Sequence, residues 1–344
     1  MTRYRRAWTI GSRALLVVGL LVAALVPAFF STYFTGAIAV KVLWLGLAAA
    51  SLTFLSGQGG MVSLAQTALF GVAGYVTARL MVFEAMSPWL AAAAGVGAAT
   101  VTGMVVGAVA SGTRGIYFLM ITLAFAVVAY LFFSQVSTFG GHTGINGVFA
   151  PAPLDNPTLK PTAVYYACLA CCVAAYLLLR YLARTPFGLA LAAVRDEPQR
   201  ANALGFDVRL HRTIAFALAA AVAGVAGVLA TWHITSISPG TIDVTRTIEL
   251  LVVAVIGGLY RLEGAWLGAL VYVLLDTYTR GLSGRFETWI GIAFVLIVLV
   301  SPGGLAGLVA RVDEAFRRPA RRRRRRRRRR GARGVLASWG RPAG

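Results

Sequence analysis

Few residues in this chain of 344 are of a type and spacing that would do covalent chemistry. His142, His211 and His233 are scattered, and no HExxH places two histidines one turn apart as a catalytic zinc requires. Cys168, Cys171 and Cys172 form a CxxCC group, but no His or acidic residue accompanies them in their apolar segment. Thiols in such surroundings behave as small hydrophobes, so no metal is expected there. A phosphate loop needs lysine after glycine, and the two lysines, Lys41 and Lys160, follow Val40 and Leu159. No serine or cysteine sits in a nucleophile motif. The expectation is a chain that catalyses nothing itself and holds no cofactor.

What polarity the chain has is concentrated in one island, Arg180 to Arg212. Phe187, Leu191 and Val194 fall at i, i+4 and i+7, which predicts a short helix with one apolar stripe and Arg195 near its end. Asp196 reads as the N-cap of a second short helix over Glu197–Leu204, with Glu197 and Pro198 in its first turn and Gly205 just past its end. Two readings stand at this point. The island is either a solvated connector whose stripe rests on its own domain, or a docking surface for a second protein.

The elements around it are membrane spans. Hydrophobic residues make up 58% of the chain and charged residues 13%, with a mean hydropathy of +0.74; soluble domains carry about 25% charged residues. The formal charge of +21 resides largely in the tail: Arg317, Arg318, the run Arg321–Arg330, Arg333 and Arg341 account for 14 of the 33 basic residues, leaving 19 against 12 acids in the body. That remainder follows topology and does not call for nucleic acid.

After Arg3, Arg5, Arg6 and Arg13, apolar segments occur at about Ala14–Phe30, Ala37–Leu55, Val62–Phe83, Pro88–Ala110, Gly115–Val136, Thr162–Leu182, Thr213–Thr231, Ile248–Leu275 and Thr288–Val300. The amino terminus, the island with Arg184, Arg195, Arg200, Arg209 and Arg212, and the tail are all basic and so belong on the cytoplasmic side. Nine crossings would leave the tail outside. The segment Ile248–Leu275 resolves this by splitting into Leu250–Leu259 and Gly264–Asp276 around GGLYRLEG. The fold expected is an all-α polytopic membrane protein with 8–10 transmembrane helices, some broken or re-entrant. Its domains are a cytoplasmic terminus over 1–13, a transmembrane body over 14–306 with a cytoplasmic loop at 183–212, and an arginine-rich tail over 307–344, too charged to fold alone and suited to anionic lipid of the bilayer.

Backbone breaks at membrane depth occur only where they face protein or water, so GGLYRLEG and GQGGMVSLAQ (57–66) are candidate pathway elements. Gln58, Ser63 and Gln66 supply neutral polar groups beside the second of these; either they line the pathway or they hydrogen-bond neighbouring helices. Small residues at four-residue spacing, Gly103 with Gly107, Ala220 with Gly224, Ala223 with Gly227 and Gly264 with Gly268, predict close helix packing. Between Ser137 and Pro161 a Gly-, Pro- and Asn-rich external loop is long enough for a partner to use. Glu84, Glu249, Asp276 and Glu287 are expected near segment ends, which argues against coupling to an ion gradient and for energy supplied from outside the chain. The competing class is a stand-alone secondary transporter or channel for a small polar solute.

Six stretches together carry a resemblance: GQGGMVSLAQTALFGVAGYVTARL (57–80), RGIYFLMITLAFA (114–126), GGHTGINGV (140–148), RTPFGLALAAVRDEPQRANALGFDV (184–208), AFALAAAVAGVAGVL (215–229) and VVAVIGGLYRLEGAWLGAL (252–270). In order and spacing, over about 15–305, the chain resembles the M-type permease subunit of branched-chain amino-acid ABC importers. The resemblance implies a multi-pass protein of the bacterial cytoplasmic membrane that works with a second permease subunit, two cytoplasmic ATP-binding subunits and an extracytoplasmic solute-binding protein. It also implies that the segment matching Arg195–Gly205 couples to an ATPase. Arg195, Ala201, Ala203 and Gly205 agree with the family pattern. Arg200 and Asn202 stand where the family more often has alanine and glutamate, and Val127 where it commonly has an acid. Phe187, Leu191, Asp196 and Glu197 complete the coupling set.

Overall fold

The computed structural model describes residues 31–151 and 161–282 throughout, together with 23–27, 29, 288, 291–292, 294–295, 299 and 303–307. Most of the segments expected at Ala14–Phe30 and Thr288–Val300, and the whole arginine tail, lie outside the described residues.

Long apolar runs with few breakers leave the backbone no partner but itself in hydrocarbon, and they form helices here as that requires. In chain order these are α1 (Phe34–Gly59), α2 (Gln66–Val82), α3 (Pro88–Ala110), α4 (Ile116–Gln135), α5 (Pro161–Leu182), the short α6 (Pro186–Asp196) and α7 (Pro198–Ala203), α8 (Val208–Ile234), α9 (Val244–Gly257) and α10 (Gly264–Leu282). Among the described residues, α1, α3, α4, α5 and α8 are long and apolar enough to cross a membrane. The shorter or less apolar α2, α9 and α10 complete an all-α bundle.

The bundle has two central members. The most apolar windows of α1 and α8 are 78% and 72% buried, whereas those of α3, α4 and α5 are 28%, 28% and 33% buried. The outer three therefore present most of their surface to lipid or a partner. α8 packs on α2 and α3, and α1 packs on α8, α10 and α5.

Small residues set the closeness of these contacts. A Cβ added at Gly103 would collide with Ala220, and one at Gly107 would lie 2.8 Å from Phe216 Cβ, so the α3 glycine pair seats α8. Gly224 faces Ala99, Gly227 faces the Phe70 carbonyl, and Gly264 and Gly268 press on the backbone of α9. The spacing argument for close packing is met at every pair.

The described part of the loop after α4, residues 136–151, is anchored to the bundle, and 152–160 lie outside the described residues. Its Ile145–Asn146 forms a two-residue strand, β1, antiparallel to β2 (Ser236–Ile237) with Ile145 opposite Ile237. Gly147 and Val148 both donate to the Thr235 carbonyl at 3.1 Å.

Three expectations are corrected. α8 begins at Val208, not Thr213, because the Asp207 carboxylate accepts from the Leu210 amide and caps the helix five residues earlier. Arg212, counted as a loop charge, is consequently a helix residue 7% exposed, and it donates to the Ser111 and Thr113 carbonyls. Nor do Glu249 and Asp276 mark segment ends: α9 starts earlier and α10 ends later than hydropathy implied, so both acids lie within helices.

Gly103→Val is expected to lower the melting temperature of the detergent-solubilised protein, since overpacking a tight contact costs about 1–3 kcal/mol. Gly97→Ala, whose added Cβ meets nothing within 4 Å, is expected to be neutral or stabilising. Equal behaviour of the two variants would contradict the packing account.

Candidate functional site

The polar island folds as a helical hairpin whose geometry follows from its caps. Thr185 accepts from the Gly188 amide, Pro186 occupies the first turn, and α6 runs to Asp196. Leu191 and Val194 are fully buried, and the half-buried Phe187 stacks on His211 with ring centroids 5.8 Å apart. The predicted stripe is therefore the face by which α6 grips the bundle.

Asp196 does not cap the second helix. Pro198 disfavours helical conformation in the residue before it, and the break accordingly falls at Glu197, with φ −142° and ψ 78°. Asp196 ends α6, and its carboxylate pairs with Arg195 at 2.8 Å. α7 covers Pro198–Ala203 in place of Glu197–Leu204, and Glu197 is its cap residue, outside the first turn. The end of α7 is as expected. Gly205, at φ +88°, lets its amide reach the Asn202 carbonyl while the Phe206 amide reaches that of Ala201, the paired bonds of a glycine-terminated helix. Ala201 is buried, whereas Asn202, Ala203, Leu204 and Gly205 are exposed, Leu204 to 78%.

The hairpin sits on the first chain break. α1 ends in a π-helical turn over Leu55–Gly59, Gly60 takes φ +65°, and the chain runs irregularly to Gln66. The Arg195 guanidinium donates to the Gly57 carbonyl, one of those the ended helix leaves free. A Cβ at Gly60 would lie 2.5 Å from Arg195 Cγ, so only glycine gives both the left-handed turn and the close approach.

The second break adjoins the first. Between α9 and α10, Gly258 has φ +119°, and Ser56 Oγ donates to the Leu259 carbonyl at 2.6 Å. On the far side of this break Tyr176 donates to Glu263 at 3.0 Å, Arg180 donates to the Tyr176 hydroxyl, and Arg261 donates to the Ala306 carbonyl. Hairpin, first break and second break thus form one hydrogen-bonded chain: Arg195 to Gly57, then Ser56 to Leu259.

Of the three residues expected beside the pathway, Ser63 and Gln66 are fully buried. Ser63 accepts from the Ala65 amide, and Gln66 accepts from Ser51 at 3.1 Å. Gln58 is half-buried in the π-helical turn. None of the three lines the cavity of about 310 Å³ that lies between α1, α2, α8, α9 and α10.

Sequence reasoning missed Ser56, Tyr176 and Glu263, which hold the breaks, and the ion pairs Lys41–Asp276 and Arg246–Glu249 beside the cavity. A signal existed for two of them: Ser56 directly precedes the glycine cluster, and Arg246 and Glu249 have the i, i+3 spacing of a helical pair.

The family model for the branched-chain amino acid transport system permease component matches residues 34–301. The chain belongs to that family. This permease is similar to the high-affinity branched-chain amino acid transport system permease protein LivM of Escherichia coli K12, at 23% identity over 315 residues covering 85% of this chain and 74% of that one. The LivM protein of Salmonella typhimurium LT2 is 22% identical over 278 residues, 74% of this chain and 65% of that one. A probable branched-chain amino acid transport permease protein LivH of Methanocaldococcus jannaschii is 29% identical over 136 residues, 37% of this chain and 42% of its own length. No solved structure matches the permease.

Ser56→Ala is expected to deprive the Leu259 carbonyl, on a half-buried residue, of its hydroxyl donor, at a cost of about 1 kcal/mol. Hydrogen exchange should then quicken over residues 258–263 and stay unchanged in α3 and α4. Unaltered exchange across 258–263 would show that the two breaks are not joined.

Proposed function

We propose that this permease is the membrane conduit of an ATP-driven importer for branched-chain or related amino acids, and that the α6–α7 hairpin is where its motor docks. The observation that carries the reading is the Arg195 contact with the Gly57 carbonyl. One side of the hairpin is bonded to a broken helix, and the other presents an exposed, capped turn ending in Leu204. A short rigid element of this kind transmits a push; a flexible connector would absorb it.

The names of the relatives support the solute class. The working assembly in this reading comprises a second permease subunit, two cytoplasmic ATP-binding subunits and an extracytoplasmic solute-binding protein, in the bacterial cytoplasmic membrane. ATP hydrolysis belongs to the partner subunits, since this sequence has no phosphate loop. Asp196, Glu197, Ala203 and Gly205 face the ATPase; Phe187, Leu191, Arg195 and Ala201 fasten the hairpin to the bundle. Gln58, at the break itself, moves with the hairpin, and Ser63 and Gln66 hold the segment that follows.

Gly205→Pro locks φ near −65° and removes the amide that reaches Asn202, and Glu197→Arg reverses an exposed charge at the hinge. Each is expected to reduce amino-acid uptake by the reconstituted complex to background while membrane insertion is retained and ATP hydrolysis continues. Full uptake by both variants would contradict the docking role.

A further inference from the structure

Four acidic and basic side chains meet beside the cavity between α1, α2, α8, α9 and α10, on three different helices. Lys41 of α1 pairs with Asp276 of α10 at 2.8 Å, and Arg246 pairs with Glu249 within α9 at 2.7 Å. Lys41, Arg246 and Glu249 line the cavity directly. His233 also lines it, and both its ring nitrogens are committed: Nδ1 accepts from the Trp44 indole at 3.3 Å, which leaves Nε2 to donate to the Gly36 carbonyl at 2.8 Å. That arrangement is the neutral imidazole. Among the described residues the charge beside the cavity is balanced, two cations against two anions.

We infer that this cavity is a binding site for a zwitterionic α-amino acid with an aliphatic side chain. The inference deepens the reading of the permease as an amino-acid conduit and rests on it. Size permits it: 310 Å³ lies at the lower end of the range of small-molecule pockets, about 300–1,000 Å³. Charge fits as well. A zwitterion brings both signs and no net charge to a balanced wall, whereas a solute with one charge would leave an ion unmatched in a low-dielectric site.

Donor and acceptor capacity remains after the existing pairs are made. An ammonium has three donors and a guanidinium five; Lys41 Nζ makes one bond to Asp276, and Arg246 makes one to Glu249. Both cations thus have donors left for a carboxylate, and Glu249 has acceptor positions left for an ammonium. Trp44, Phe70, Leu250 and Ile237 supply the apolar wall for the side chain. A further polar group is idle: the Thr67 hydroxyl lines the cavity, is 6% exposed, and has no hydrogen-bond partner among the described residues.

Position agrees with a site on the far side of the membrane from the motor. Lys41 is 16 residues from Gly57 along α1, or about 24 Å at 1.5 Å per residue, and Gly57 is where the hairpin attaches. The Lys41 side chain is 30% exposed, so the charged end of the cavity reaches the surface of the bundle.

The test uses the full chain in its assembled complex. Ser236, which lines the cavity, becomes a reporter as Ser236→Cys in a background of Cys168→Ala, Cys171→Ala and Cys172→Ala, labelled with a membrane-impermeant thiol reagent. L-leucine is expected to slow labelling, and 4-methylpentanoate and 3-methylbutylamine, which each lack one of the two charges, are expected to leave it unchanged. Adding Glu249→Gln should keep the unliganded labelling rate and raise the leucine concentration needed for protection about tenfold, the factor for losing one charge-assisted bond. Protection that is absent, that the singly charged analogues match, or that Glu249→Gln leaves unaltered overturns the inference. If the unmodified complex concentrates leucine while the reporter shows no protection, the site is wrong and the importer reading stands. If protection is present but ATP drives no uptake, the importer reading fails and the site stands.

Discussion

A helix that stops inside an apolar bundle leaves carbonyl and amide groups that water cannot reach, and each must find a partner within the protein. Among the described residues this permease has two such stops, after Gly59 and after Gly257, and the way it satisfies them organises the rest of the molecule. The first stop is closed by Arg195 from the hairpin, the second by Ser56 from the end of α1 and, beyond it, by Arg261 and the Glu263–Tyr176 pair. The need to satisfy backbone groups has thereby tied the hairpin to both breaks.

That tie supplies the mechanical argument. α1 and α8 are the most buried spans, and α1 runs from the charged end of the cavity at Lys41 to the hairpin contact at Gly57. α8 likewise starts beside the hairpin, where His211 stacks on Phe187, and ends with His233 and Ile234 at the cavity. Displacement of the hairpin therefore acts on the two helices that line both places. α3 and α4, which among the described residues make no hydrogen bond to the hairpin, are free to serve as the frame against which this movement occurs, whereas α5 is tied to the hairpin through Thr185 and to the second break through Tyr176.

Much of this was legible from residue pattern. Apolar runs located the spans, small-residue spacing located the α3–α8 and α9–α10 contacts, and Leu191, Val194 and Gly205 have the burial and backbone conformation that periodicity and capping rules assign them. Local misreadings had local causes. Asp196 is a good capping residue by type, but the constraint of Pro198 on the residue before it decided the break, and Asp207 moved the start of α8. The joints themselves were not legible, because they are pairings of distant residues: Lys41 and Asp276 are 235 positions apart, and Ser56 and Leu259 are 203 apart. Hydropathy also places a charge by its neighbours in sequence, so acids inside α9 and α10 read as boundary residues until helix ends were known. Ser63 and Gln66 show the opposite limit, since polarity beside a glycine-rich break identified buried hydrogen-bonding groups without saying whether they face a solute.

The central claim is that hairpin and breaks move as one body under the motor. It is tested most directly by distances between spin labels on the assembled complex, one at exposed Asn202 in α7, one at exposed Tyr260 in the second break, and one at exposed Val101 in α3. On switching from nucleotide-free to ATP-trapped states, the account predicts that the separation of 202 from 260 stays constant while both shift relative to 101. A change between 202 and 260 with 260 fixed relative to 101 would mean that the hairpin moves without the breaks, and would contradict it.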